Sequence, residues 1–338
     1  MREIHKWYQE LLEPSEKLVT EIAALKGDII ILGVGGKMGP ALAILAKQAV
    51  DRSGINKRII GVSRFSEAGL QNDLNNKGIE TFEADLLQDD ELLSLPDAEN
   101  VLYLAGTKFG TTGKEPFTWA MNSYLPGRVA QKYKNSRIVV FSTGNVYPLT
   151  PVLSGGADEE QTPQPVGEYA QSCLGRERLF QYYSLKYNTP LLIYRLNYAN
   201  DVSYGVLLEI ARSVKERRPI DLKMGHVNVI WQGDANEMAL RSFHHCTLPS
   251  KILNIAGPET IPVRWLAKEF GKLFDQSPEF INQEQDTALL SNAAESFRLF
   301  GYPKVPLKKM MEILVEWINE GGKTINKPTH FQERSGQF

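Results

Sequence analysis

The sequence predicts a doubly wound α/β fold, a parallel sheet with helices on both faces, followed by a smaller C-terminal α+β lobe. Three observations lead there. Short strand-like runs recur at Asp28 to Gly33, Arg58 to Val62, Glu80 to Ala84, Val101 to Ala105, Ile138 to Phe141 and Leu191 to Arg195. Helix-like stretches lie between them, including Pro40 to Asp51, Thr118 to Tyr133 and Val166 to Lys186. Connections of that length carry a chain over a sheet and back in parallel, not around a hairpin. The first run, Asp28-Ile29-Ile30-Ile31-Leu32-Gly33, is apolar without alternation, as a strand covered on both faces would be, and it ends in glycines that open a helix.

Before the first strand, Leu11, Leu12, Leu18, Ile22 and Leu25 sit among charges, which predicts one or two short amphipathic helices over residues 1–27, packed outside the main fold. Residues 28–197 form the sheet domain. After Asn197 the rhythm changes: a helix over Val206 to Glu216, a strand over His226 to Trp231, a helix from Gly233, a strand over Ile252 to Ile255, and helices over Val263 to Phe274 and Leu307 to Ile318. This second lobe spans 198–320, with some segments returning to the sheet. The polar stretch 321–338 lacks capping signals and is expected to be a loose tail.

Composition narrows the function classes. A net charge of −2 with no basic run argues against a nucleic-acid partner. Cys173 and Cys246 are the only cysteines, too few and too far apart for a disulfide framework or a metal site, so no metal is expected and a reducing compartment fits best. The N-terminus lacks an apolar signal region and no run is long enough to span a bilayer, so the expected location is cytoplasmic and no membrane partner is expected.

The loop Gly33-Val34-Gly35-Gly36-Lys37-Met38-Gly39 lies between a strand and a helix, where backbone amides and glycines suit a pyrophosphate. The GxGxxG spacing fails because Met38 takes its last glycine, whereas GxxGxxG fits with Gly33, Gly36 and Gly39. The second strand ends Gly61-Val62-Ser63-Arg64 without the carboxylate that would bond a free ribose 2′-hydroxyl. Ser63 and Arg64 therefore favour NADP, with NAD possible.

Further along stand Phe141-Ser142-Thr143-Gly144-Asn145-Val146-Tyr147 and, twenty-six residues after Thr143, Glu168-Tyr169-Ala170-Gln171-Ser172-Cys173. With the glycine loop, these resemble the extended short-chain dehydrogenase/reductases, the family of NAD(P)-dependent epimerases and dehydratases built on the Rossmann fold. The resemblance covers about Asp28 to Ile318. It implies that Tyr169 exchanges a proton with the substrate oxygen and Thr143 hydrogen-bonds that oxygen. It also implies that Asp85 and Leu86 meet the adenine, Ala105 and Gly106 pass under the ribose and nicotinamide, and Asn122 is the structural Asn. Asn197 resembles an Arg-x-x-Asn segment near the nicotinamide, one residue too close to Arg195. The family's lysine one turn after the tyrosine is replaced here by Cys173.

That replacement matters because a phenol serves as acid and base only when a nearby cation favours its anion. Cys173 offers no such charge. A second Tyr-x-x-x-Lys, Tyr182 to Lys186, lies thirteen residues further along the same helix, about 20 Å away at 1.5 Å per residue, and is expected to be ordinary helix surface and core. Substitute cations are Arg176, whose plain reading is a solvated helix charge, and Lys108. Gly144 and Asn145 stand where the family's dehydratases carry acids, which disfavours dehydration. Thr107, Lys108, Phe109, Thr111, Thr112, Tyr147, residues 148–165 and 198–204 should line the substrate crevice. Arg212, Arg217 and Arg218 are expected to face solvent. The expected function is an NAD(P)-dependent oxidoreductase or epimerase of a sugar, nucleotide sugar or related carbonyl, with a small sugar-like partner molecule. The alternative is a non-catalytic NADP-binding sensor or partner subunit. The resemblance also implies a homodimer through the helices at Thr118 to Tyr133 and Val166 to Lys186.

Overall fold

Seven parallel strands make the central sheet: β1 (Ile29–Leu32), β2 (Ile59–Ser63), β3 (Glu80–Glu83), β4 (Asn100–Tyr103), β5 (Arg137–Thr143), β6 (Leu191–Leu196) and β7 (Lys251–Ile255). The computed structural model describes residues 2–108, 113–325 and 329–337 of the 338-residue chain. The strand order is β7-β6-β5-β4-β1-β2-β3, every pair parallel. Strand order reverses between β1 and β4, so the chain leaves their carboxyl ends in opposite directions and opens a crevice there. All four side chains of β1 are buried because both faces of the sheet are covered.

The helices are α1 (Arg2–Glu10), α2 (Glu16–Ala24), α3 (Gly39–Ser53), α4 (Leu70–Asn76), α5 (Asp89–Ser94), α6 (Glu115–Trp119), α7 (Leu125–Lys132), α8 (Gly167–Tyr187), α9 (Val206–Lys215), α10 (Gln232–Arg241), α11 (Val263–Phe274), α12 (Ala294–Phe300) and α13 (Leu307–Asn319). One face of the sheet packs on α3, α10 and α2 through Leu18, Ile22, Leu42, Ala46 and Met238; the other packs on α7 and α8 through Val129, Ala130 and Phe180. A separate apolar core joins α9, α11 and α13 in the second lobe.

The structure departs from the sequence reading in three places. The helix expected over Thr118 to Tyr133 starts at Glu115 and contains a wide π-helical turn, Ala120–Tyr124. Within that turn Asn122 both accepts from the Thr107 amide and donates to the Thr107 carbonyl, a pairing that anchors the loop after β4. The strand expected over His226 to Trp231 splits: His226–Val227 pairs antiparallel with Ile261–Pro262, and Ile230–Trp231 pairs parallel with Ala199–Asn200. Between the two halves the Asn228 side chain donates to the Ser291 carbonyl instead of continuing a ladder. Finally, residues 329–337 are docked and not loose. Phe331 is buried in the second lobe, Thr329 donates to Glu209 on α9, and Arg334 donates to Thr287. The N-terminal helices are likewise tied in, since the Tyr8 hydroxyl donates to Asp201 at 2.8 Å and Ile4 joins the core of the second lobe.

Candidate active site

The glycine loop connects β1 to α3 across the sheet's switch point. Gly33 has φ of +92°, and a side chain on it would come within 2.7 Å of the Ala105 amide, so β1 and β4 approach closely only because it is glycine. A Cβ on Gly39 would lie 2.2 Å from the Val34 carbonyl, which ties the start of α3 to its strand. Gly36 is exposed and a Cβ there would meet only the Gly33 carbonyl, at 3.4 Å. The helix begins without a side-chain cap. Open space over Gly36 beside uncapped first-turn amides is a cradle that suits a pyrophosphate.

The other residues read as coenzyme contacts follow the ends of β2, β3 and β4. Ser63 ends β2 against Gly35, whose missing Cβ would sit 2.4 Å from the serine oxygen, and its hydroxyl accepts from the Phe65 amide. Arg64 is exposed. Asp85 turns the chain after β3 by accepting from the Leu87 amide, and Leu86 is buried beneath. Ala105 is buried and Gly106 exposed at the end of β4. Asn197, by contrast, is buried and committed to Asn228 and the Leu289 carbonyl, so it braces the second lobe. Phe109, Thr111 and Thr112 lie outside the described residues. Among the described residues no cluster of His, Cys, Asp and Glu could hold a metal, and no helix is long and apolar enough to cross a membrane.

Thr143 ends β5 and Tyr169 sits in the first turn of α8, where their hydroxyls are hydrogen-bonded to each other. Tyr169 is only 9% exposed, and burial pushes its phenol well above the ordinary tyrosine range. Proximity to the Cys173 thiol adds to the rise, while Arg176 and the Thr143 hydrogen bond oppose it. Cys173 is fully buried among Val146, Tyr147, Ala157 and Tyr169, and burial pushes its thiol up as well.

Arg176 corrects the sequence reading. It is 7% exposed and lies inside the site, not in solvent. Its Nη1 donates to the Phe141 carbonyl and its Nη2 to Asn122 Oδ1, each at 2.8 Å. A Cβ on Gly106 would come within 2.3 Å of Nη2, so this glycine makes room for the guanidinium beneath the floor of the crevice. Burial works against its charge, but Cys173, Tyr103, Tyr169 and Glu177 hold it protonated. The spacing was a usable signal: Tyr169, Cys173 and Arg176 stand at i, i+4 and i+7, one face of one helix.

Lys108 reaches in from the loop after β4, its ammonium 5.5 Å from the centre of the Tyr169 ring. Desolvation first, then the neighbouring Lys37, lower its pKa to about 8, and Cys173 opposes the drop. Lys37 itself lies 5.4 Å from the centre of the Tyr204 ring. Two lysines crowded beside a glycine cradle suit an anionic ligand. The decoy motif behaves as ordinary surface: Tyr182 is exposed, and Lys186 lies over the rings of Tyr182, Tyr183 and Tyr187.

Under the site runs a polar network that sequence reasoning missed. Glu177 on α8 accepts from Arg195 on β6 through both oxygens, at 2.9 and 2.6 Å, and from the Ser142 hydroxyl at 2.5 Å. Arg195 also donates to the Tyr147 hydroxyl, which in turn donates to Asn254 on β7. Tyr147 is therefore a buried strut and does not present its hydroxyl to the crevice. This network locks α8 against β5, β6 and β7 and so sets where Tyr169 stands relative to Thr143.

No family model matches the chain, and no curated protein matches it in sequence. Solved structures do resemble it. One is a UDP-glucuronic acid 4-epimerase from Bacillus cereus in complex with NAD, with a TM-score of 0.72 and 17% identity, covering 88% of this chain and 100% of that one. Another is a UDP-glucose 4-epimerase from Thermus thermophilus, also in complex with NAD, at 0.69 and 16%, covering 86% and 99%. Pal from Bacillus thuringiensis matches at 0.70 and 16%, covering 87% and 99%. The sheet and its helices thus have the Rossmann-like α/β fold of the two epimerases.

Proposed function

We propose that this chain is an NAD(P)-dependent oxidoreductase or epimerase acting on a sugar or a sugar-derived carbonyl or alcohol. The observation that carries the reading is the pairing of the Tyr169 and Thr143 hydroxyls at the carboxyl end of β5, beside the bare floor at Gly106. Gly33, Gly36, Lys37, Met38 and Gly39 would hold the pyrophosphate; Ser63 and Arg64 the adenosine ribose; Asp85 and Leu86 the adenine; Ala105 and Gly106 the nicotinamide end. The coenzyme when bound supplies hydride transfer.

Thr143 orients the substrate oxygen and Tyr169 gives or takes its proton. Arg176, held by Phe141 and Asn122, is the fixed charge that favours the phenolate, and Lys108, with a pKa of about 8, is a second, protonatable cation over the ring. Asn122 holds both Arg176 and the loop bearing Lys108, so it positions the two together. Without carboxylates at Gly144 and Asn145, elimination of water is disfavoured. The sensor reading rests on Cys173 alone, and two cations around Tyr169 remove its main support.

The test is calorimetry of NADP(H) and NAD(H) binding, followed by turnover across keto-sugars, sugar acids and UDP-sugars. Tight coenzyme binding with turnover of at least one substrate is expected; tight binding with no turnover anywhere would establish the sensor. Because Arg64 is exposed at the end of β2 with no acid beside Ser63, Arg64→Ala is expected to weaken NADP binding about tenfold or more and leave NAD unchanged. Equal losses for both coenzymes would refute the assignment. Exposed Phe117, Trp119 and Tyr124 before α7, and Tyr182 and Leu185 on α8, suit a homodimer through these helices.

A further inference from the structure

The docked segment 329–337 bridges the two lobes beside the reacting groups. Tyr198 donates to the Phe331 carbonyl, and Arg334 Nη1 donates to the carbonyls of Lys223 and Thr287 while Nη2 donates to Thr287 Oγ1. At the other end, Gly336 lies against the start of α8: a Cβ on Gly167 would fall 2.3 Å from the Gly336 carbonyl, two residues before Tyr169. Between these anchors is a cavity of about 40 Å³ lined by Asn145, Tyr147, Val166, Leu289, Glu333 and Arg334 among others. Asn145 lines the cavity and its amide donates to the Thr143 hydroxyl, and Val166 precedes Tyr169 by three residues, so the cavity lies one residue out from the reacting pair.

Arg334 is the charged wall of that cavity. Its hydrogen bonds go to neutral acceptors, and it makes no ion pair among the described residues. Burial lowers its pKa, with Tyr198 opposing. The adjacent Glu333 is spent on the Ser335 amide and hydroxyl. On the guanidinium, Nε–H and the second Nη2–H have no acceptor among the described residues. These two hydrogens form the parallel edge that an arginine presents to a carboxylate.

We propose that segment 329–337 is the outer wall of the substrate site and that Arg334 takes a carboxylate of the substrate. The substrate is then a sugar acid. The proposal rests on the reading of Tyr169 and Thr143 as the reacting pair. The cavity holds about one such group; water in the liquid occupies about 30 Å³ per molecule.

Calorimetry on the full chain tests it, with coenzyme affinity measured first on the same sample. Absence of coenzyme binding would defeat the functional reading itself, separately from the substrate claim. With coenzyme bound, D-gluconate and D-galacturonate are expected to bind at least tenfold tighter than D-galactose. Arg334→Gln should abolish the preference for the acids, Arg334→Lys should keep part of it, and both should leave coenzyme affinity unchanged. Deleting residues 329–338 should likewise abolish the preference. Equal binding of acids and neutral sugars, no binding of either acid, or an Arg334→Gln loss shared equally by neutral sugars would each overturn the proposal.

Discussion

Glu177→Gln is expected to destabilise the fold by about 3–5 kcal/mol, because it leaves the guanidinium of Arg195 buried without its counter-charge. Both side chains are essentially inaccessible, at 0% and 1% exposed, and the pair is bidentate. A loss of that size is a large share of the roughly 5–15 kcal/mol typical of a folded protein. The measurement is the urea midpoint at constant slope. Removing both charges, as in Glu177→Met with Arg195→Met, should recover much of the loss, since the pair's attraction is largely spent on its own desolvation. A single-variant loss below about 1 kcal/mol would mean that the network does not hold α8 in place, and with it the argument for the Tyr169 geometry would fail.

Tyr169→Phe is expected to lower turnover by about two to four orders of magnitude, the usual contribution of a positioned general acid or base. The substitution removes the hydroxyl that bonds Thr143 and keeps the ring packed in the cluster with Val146, Tyr147 and Ala157. Stability should therefore change little and coenzyme affinity not at all. The kinetic pattern is a fall in kcat and kcat/KM together, with calorimetry unchanged. Turnover retained within about tenfold of wild type would remove Tyr169 from the chemistry. Weakened coenzyme binding would instead place the phenol in the binding site.

Much of this architecture was legible in the chain. The inner strands of the central sheet could be read because a parallel strand covered on both faces is apolar at successive positions, as Ile29 to Leu32 are. The glycine loop was readable because Gly33 and Gly39 stand where no side chain fits. What escaped depends on contacts between distant residues. Arg176 looked like a solvent charge because helix periodicity does not say whether a neighbouring face is core or crevice. Only the missing Cβ of Gly106, seventy residues earlier in the chain, leaves it room. The pairing of Glu177 with Arg195 joins a helix and a strand with no local pattern to mark it. Segment 329–337 looked loose because its anchors, Phe331 and Arg334, are single residues without periodicity.

The central claim is that Arg176 supplies the charge that Cys173 does not, so that Tyr169 can work. The groups facing the phenol are Cys173 on α8, Thr143 on β5, Lys108 from the loop after β4, and Arg176 itself, which is flanked by Tyr103 and Glu177; Lys37 stands behind Lys108. The most direct measurement is the pH dependence of kcat for the wild type and Arg176→Met, with Lys108→Met as the comparison. Arg176 lowers the phenol's pKa, so its loss should raise the pKa of the Tyr169 limb and cut kcat at neutral pH, with coenzyme still bound. Because Lys108 loses its proton near pH 8, any contribution from it should fade above that pH and vanish in Lys108→Met. Profiles of wild type and Arg176→Met that coincide in both position and height would contradict the account.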